Sequence, residues 1–389
     1  MTQEQTEAGL SPQILQGHIL AFFAFDIGYE VSLDEVGKLL ASNPIQPLSR
    51  KKRTPNYLQY THAPHVHGLG ETQVLNGYGP GEMLATIFDF GAISIAYRWP
   101  FPGAKGSISL DELPQTSKDV YDLPLEDHAR WQVEKLIQQI RPAIVRPELS
   151  DLVEDFYVFI IEDLQDGTAQ HVQSKDGQHN AMTAETLLEH HSHTLAQALH
   201  FDTERLSDMQ MKESLSRSIS YYDHDVVLID WNAALIYDTD YTDTLNVLEL
   251  LNVELLEARY MDAQLDKRIK NYEGLSQRQQ YWFMPLSIPY RQSINELAEL
   301  RIESSVLAER VDNALKLIGD LYLARVYSEA SERFYLPTWD ASISRKLDII
   351  GNLYQVLTDR VNSSQAQMLE VIIIVLILIE IFLSLSQHR

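Results

Sequence analysis

A chain of 389 residues, 45% hydrophobic and 22% charged, can bury a real core and has the composition of a folded protein, not a disordered one. Its 31 basic residues face 55 acidic ones, and the resulting formal charge of −24 repels phosphate backbones, so nucleic acid is not an expected partner. Cysteine is absent, which excludes disulfides, thiol chemistry and Cys-ligated zinc but names no compartment.

Residues 1–16 are polar and read as a flexible N-terminus. The first basic residue is Lys38, so neither a basic signal-peptide start nor the arginines of a mitochondrial presequence are present. Residues 18–25, HILAFFAF, form an apolar, aromatic run suited to a buried strand. Ser32, with Glu35 three residues on, has the pattern of a capping box ahead of Leu33, Val36, Leu39 and Leu40 at helical spacing. Residues 43–81 are rich in Pro, Gly, His and Asn and read as a long loop, with a basic run at Lys51, Lys52 and Arg53. Two strands are expected at 83–90 and 92–99, hinged at Gly91 and stopped by Pro100. A helix at 126–140 and a strand at 156–161 complete the order strand, helix, strand, strand, helix, strand of a ferredoxin-like sandwich. Residues 163–180 are polar, 183–201 read as a helix, and strands around 215–222 and 226–237 would extend the sheet.

From Thr244 onward the spacing changes. Leu248, Leu251, Leu255, Ala258, Leu265 and Ile269 fall in threes and fours, as do Ile294, Leu297, Val306, Val311, Ala314, Ile318 and Leu321 beyond Pro285 and Pro289. A third stripe follows Pro337, through Ile343, Leu347, Ile350, Tyr354, Leu357 and Val361, and its spacing carries into Met368 and Val371. Such stripes bury themselves against partner helices, as a folded-back bundle or a coiled coil between chains. The last stretch, MLEVIIIVLILIEIFLSL, includes Val371, Ile374 and Leu378 with a single central acid, Glu380. As a helix, roughly 18 residues cover about 27 Å, slightly less than a ~30 Å hydrocarbon core, and about fourteen large apolar side chains outweigh one acid costing about 3 kcal/mol. The expectation is a single transmembrane helix.

Three stretches resemble the required for meiotic nuclear division family. Phe88-Asp-Phe-Gly91-Ala-Ile-Ser-Ile95 is similar to its strand–glycine–strand segment. Ser192-His193-Thr-Leu195-Ala196-Gln197, with Glu204 following, resembles its Ser-His-x-Leu-Ala-Gln segment. Leu369-Glu370-Val-Ile-Ile-Ile, with Glu380 later, resembles its closing Leu-Glu-Trp-Ile-Ile, although Val371 stands where the family has Trp and residues 221–243 have no counterpart in it. The resemblance implies a membrane-anchored protein with no established catalytic activity. The family's mitochondrial members organise translation at the inner membrane, a role that the −24 charge and the missing presequence do not suit.

Several side-chain groups are candidates for chemistry. His62, His65 and His67 place three imidazoles within six residues of the Pro-rich loop, enough to clasp a metal if a carboxylate joined them. Of His190, His191 and His193, only the first and last share a helical face, and packing or capping is the default for His193. Asp223, Asp225, Asp230, Asp238 and Asp240 bracket a strand, as carboxylates do in magnesium-dependent sites, but they are also ordinary turn residues. Gly77-x-Gly79-Pro80-Gly81 precedes a strand and lacks a Lys-Ser/Thr, so it is rejected as a phosphate loop. Glu380, within an apolar span, needs a partner or a proton.

The resulting expectation is an α+β protein: a flexible N-terminus at 1–16, an antiparallel-sheet, ferredoxin-like head at 17–243, a long-helix bundle or coiled coil at 244–367, and a transmembrane tail anchor at 368–386. Functionally it reads as a non-enzymatic, C-terminally anchored scaffold whose head binds a protein partner, with no cofactor. The expected partners are the lipid bilayer, further copies of the chain and a protein of unknown identity, with the bulk on the cytoplasmic side of a membrane. The alternative is a metal-dependent hydrolase using the Asp223–Asp240 carboxylates.

Overall fold

Strand β1 (Gln13–Asp26) is the axis of the fold, and every side chain from Ile19 to Asp26 is buried. A strand covered on both faces reads as a continuous apolar run instead of an alternation, which is why HILAFFAF is uninterrupted. The computed structural model describes residues 11–40, 63–72, 79–165, 182–277 and 321–387. Within them β1 is followed by β2 (Glu30–Val31), α1 (Leu33–Leu39), β3 (His65–Thr72), β4 (Gly81–Ile87), β5 (Ala92–Phe101) and β6 (Ile108–Ser109). Next come α2 (Leu113–Tyr121), α3 (Leu125–Ile140), β7 (Ile144–Val145), β8 (Val153–Gln165), α4 (Ala184–Leu199), α5 (Asp208–Ser214) and β9 (Ser218–Ile219). The chain then forms β10 (Val226–Ile229), β11 (Ala233–Tyr237), α6 (Thr242–Gln277), α7 (Leu321–Arg333) and α8 (Leu336–Gln387).

The main sheet has the order β3-β4-β5-β1-β8-β11-β10-β9, with β6 on the end of β1. Its core run β4-β5-β1-β8 is antiparallel throughout, in the strand order of a ferredoxin-like sandwich, and β11 joins β8 in parallel. On one face Ile19, Ala21, Phe23 and Phe25 pack with Tyr97, Tyr157 and Phe159 under α2, α3 and α4, which contribute Val120, Val133, Leu136, Leu187 and Leu195. Phe23 meets Tyr97 and Tyr157 edge-on at 6.0 and 6.2 Å, a favoured aromatic geometry. The opposite face, with Leu20 and Phe22, lies under the first half of α6 and the end of α7. There Asn252 donates to the Glu154 carbonyl at 3.1 Å, and the Phe334 ring sits 5.0 Å from Phe156.

Local details depart from the sequence pattern. Within the expected loop, residues 65–72 are strand β3, hidden by its Gly and His content, while 41–62 and 73–78 lie outside the described residues. Ser32 does begin α1, but through its backbone: its carbonyl accepts from Glu35 and Val36, and its hydroxyl caps nothing. Strand β5 runs through Pro100 to Phe101. Of the expected strand at 215–222, which follows the end of α5 at Ser214, only the two residues of β9 are strand, and 226–237 is a hairpin turned at Trp231.

Gly91 has φ +101°, and a Cβ there would lie 1.8 Å from the Gly28 carbonyl oxygen. The close approach is used: the Gly91 carbonyl accepts from Ile27 N at 2.8 Å, tying the β4–β5 turn to the end of β1. Gly91→Ala is expected to cost about 1–3 kcal/mol, seen as a lower denaturant midpoint at constant slope. A loss too small to measure would show that the turn relaxes freely.

The chain divides into two compact units, one from Met1–Glu257 and Val311–Pro337, the other from Ala258–Arg310 and Thr338–Arg389. In the second, the C-terminal half of α6 pairs with α8. Lys346 bridges Asp262 and Asp266 at 2.8 and 2.6 Å, Ser342 donates to Asp262 at 2.9 Å, and Leu265 and Ile350 are buried. The second predicted helical stripe lies mostly at 278–320, outside the described residues.

The transmembrane expectation is corrected. Among the described residues no helix is long and apolar enough to cross a membrane. The apolar stretch of α8 that includes Val371, Ile374 and Leu378 carries two carboxylates, Glu370 and Glu380. Each acid costs about 3 kcal/mol within a hydrocarbon core. The tail anchor at 368–386, the lipid bilayer as a partner and the placement at a membrane with the bulk in the cytoplasm fall with it. What stands is an α+β protein with a large sheet and C-terminal helices.

Candidate functional site

Helix α4 is broken at His191, whose φ −122° and ψ 17° are not helical. On an unbroken helix, successive side chains point about 100° apart and cannot all face one hollow. Around the break, Glu189, His190, His191, Ser192, His193 and Thr194 line one open depression of about 380 Å³, closed on its other side by Arg205, Asp208, Met211 and Lys212. Ser192 donates to the Leu188 carbonyl, which takes up a carbonyl of the broken turn. His193 Nε2 lies 3.2 Å from Arg205 Nη2 and 3.3 Å from Asp208 Oδ1, and its Nδ1 is buried without a hydrogen-bond partner. Leu195 and Ala196 point into the core, while Gln197 donates to the carbonyls of Thr203 and Glu204 at 3.0 and 2.9 Å, fixing the loop that presents Arg205.

The five candidate aspartates do not converge. Asp223 accepts Ala184 N through its backbone carbonyl, Asp225 accepts Tyr221 N and Tyr222 N at 2.7 and 3.0 Å, and Asp238 accepts Asp240 N at 2.9 Å. Burial raises the Asp238 pKa, with the charges of Asp225 and Asp240 adding to it. Asp230, with 3% of its side chain exposed, accepts from Trp231 N at 2.7 Å and from Arg333 Nε at 3.0 Å, and pairs with Arg333 Nη2. Burial alone would raise its pKa, but hydrogen bonds from His200, Arg333 and Trp231 N, with the Arg333 charge, hold it below the usual range.

His200 Nε2 lies 2.6 Å from Ser214 Oγ and 3.2 Å from Asp230 Oδ2. A Ser–His–Asp relay needs those two groups on opposite ring nitrogens. Here both meet the same one, and the fully buried Ser214 donates to the Gln210 carbonyl. The trio is a packing network, not a nucleophile and its base.

A second network closes one end of the sheet. His18 Nδ1 is 2.8 Å from Glu162 and its Nε2 is 3.1 Å from Arg98, while Tyr241 contacts Arg98, Glu162 and His18 at 3.0, 3.1 and 3.2 Å. Arg98 requires a lone pair on Nε2, so the proton sits on Nδ1 toward Glu162. Burial and the Arg98 charge lower the His18 pKa, against Glu162 and Glu82, which favours this neutral form. With both ring nitrogens engaged, His18 is a fastener holding the start of α6 to β1, β5 and β8. Sequence reading missed it, although polar residues within apolar strands were the available signal.

His62 lies outside the described residues, as do the run 51–53 and Gly77. His65 and His67 lie on β3, their pKa values lowered by burial. Gly81 leaves room for an indole, since a Cβ there would lie 2.4 Å from Trp99 Cδ1 and Nε1. Among the described residues no three His, Asp or Glu side chains are placed to hold a metal ion.

Aromatic side chains are exposed at the two ends of α7. At its start Tyr221 (63% exposed) meets Tyr222 (58%) and Tyr322 at ring distances of 4.7 and 5.8 Å. Just beyond its end Trp231 (47%) and Tyr335 (55%) lie 5.6 Å apart. Arg217, paired with Glu329 and Glu332, and Arg333, paired with Glu213, add ion pairs along the helix.

A family model described as "Uncharacterized protein MJ0711, N-terminal domain" matches residues 16–244. The uncharacterized protein MJ0711 of Methanocaldococcus jannaschii is 25% identical over 195 residues, covering 50% of this chain and 59% of that relative. The chain therefore spans less than two thirds of that relative's length. No solved structure matches. The resemblance to the required for meiotic nuclear division family is corrected by these matches. Its segments were short and follow from packing: Gly91 is demanded by a turn, Leu195 and Ala196 by the core, and Leu369 and Glu370 lie beyond the matched region.

Proposed function

Because the chain belongs to the family of the MJ0711 N-terminal domain, described only as uncharacterized, we propose from its surface that it is a non-enzymatic scaffold whose α+β head docks a protein partner along α7. The observation that carries this reading is the pair of exposed aromatic groups, Tyr221–Tyr222 and Trp231–Tyr335, at the two ends of that helix. Trp, Tyr and Arg are the residues enriched where interfaces concentrate their energy. A 13-residue helix separates the groups by about 20 Å, within one standard interface of roughly 800 Å² per side.

A photo-crosslinking residue placed at Tyr222 or Trp231 of the full chain is expected to capture one discrete protein, with none captured from Lys118 on α2. The adduct at Tyr222 should vanish in a Trp231→Ala, Tyr335→Ala variant of unchanged Tm. Equal adducts at Lys118, or none at the aromatic positions, would sink the reading. The alternative, a metal-dependent hydrolase using Asp225, Asp238 and Asp240, has against it that no three His, Asp or Glu side chains among the described residues are placed to hold a metal ion. It predicts a magnesium-dependent rise in Tm that Asp225→Asn abolishes.

A further inference from the structure

We propose that the depression between α4 and α5 binds a phosphate group, free or carried on a small molecule. The first observation is that the break at His191, where the helix departs from regular geometry, lies in the wall of this hollow. The second is an unresolved competition at His193. A donor from Arg205 needs a lone pair on Nε2, whereas Asp208 needs a proton on that same nitrogen. If Arg205 prevails, the proton moves to Nδ1, which is buried and has no acceptor.

An oxyanion accepting from Arg205 removes the conflict. The His193 Nε2–H then turns to Asp208, and the guanidinium, with one of its five N–H groups engaged here, gains an acceptor. Lys212, on α5, lines the same hollow and makes no ion pair or hydrogen bond among the described residues. Arg205, on the loop before α5, and Lys212, on α5, therefore offer the hollow two cationic donors from separate elements, and an arginine fork beside a lysine point charge suits a phosphate. The volume of about 380 Å³ holds a small phosphorylated molecule. This site is independent of the aromatic positions along α7.

Calorimetric titration of the full chain with inorganic phosphate, O-phosphoserine and acetate tests it. Saturable phosphate binding is expected, weakened about tenfold or more by Arg205→Ala with Lys212→Ala and unchanged by Lys118→Ala. Asp208→Asn, which removes the competing carboxylate and leaves both cations, should tighten binding about threefold. Equal affinity for phosphate and phosphoserine would mean that the group alone is read, and tighter phosphoserine binding that its carrier is read too. The proposal is overturned if the chain shows no saturable phosphate binding, if acetate binds as well, or if the double variant keeps its affinity.

Discussion

Replacing Arg333 with Ala is expected to destabilise the head by about 3–5 kcal/mol, the loss typical of stranding one member of a buried ion pair. Asp230 would keep its burial but lose the guanidinium that engages it through two nitrogens, leaving His200 and Trp231 N. Denaturant unfolding should show the loss in the midpoint. Adding Asp230→Asn to the Arg333→Ala chain should restore a large part of it, because the amide removes the buried charge and can still accept from Trp231 N. If the double variant is no more stable than the single one, the loss comes from the missing Arg333 stem and not from an unpaired carboxylate. Asp230 also sets a pH signature. Its folded-state pKa is depressed, so its contribution is present above the ordinary 3.8 and lost as pH falls through the lower folded value.

Asp26 should titrate in the opposite sense. Burial pushes its carboxyl from 3.8 up to about 7, with Glu148 adding to the rise and a hydrogen bond from Gly28 opposing it. Glu257, which α6 buries nearby, is likewise raised well above its ordinary value by burial and by Asp26. Between about pH 4 and 7 the folded protein keeps a proton that the unfolded chain has released, so stability falls as pH rises through that window. Asp26→Asn should therefore match the wild type near pH 4 and exceed it in Tm at pH 8. Parallel pH profiles for the two proteins would refute the assignment. Comparison with the variant matters because a chain of charge −24 also repels itself more strongly as pH rises.

The main sheet was largely legible because its central strands are buried on both faces, which writes an unbroken apolar run such as residues 18–25 into the chain. Helices α3 and α4 were legible by period. β3 was not, since Gly and His at its positions carry the composition of a loop. The polar networks were hidden for a different reason. Asp230 and Arg333 are 103 residues apart, and Tyr241 reaches His18 across 223, separations that no local pattern encodes. The aspartates were visible as a group, but their roles depend on which backbone amides they meet. The spacing of the histidines at 190–193 implies a regular helix, and nothing in it marks the break in α4 at His191.

The two-sided cover of the sheet also sets a timetable for folding during synthesis. Strand β8 ends at Gln165, yet the face bearing Leu20 and Phe22 waits for the first half of α6 and then for Phe334. At roughly 5–20 residues per second, about 170 further residues take on the order of 10–30 s to emerge. Until the first half of α6 emerges that sheet surface has no lid, and until Phe334 follows its cover is incomplete. A chaperone that recognises exposed apolar surface would find this face open during that interval.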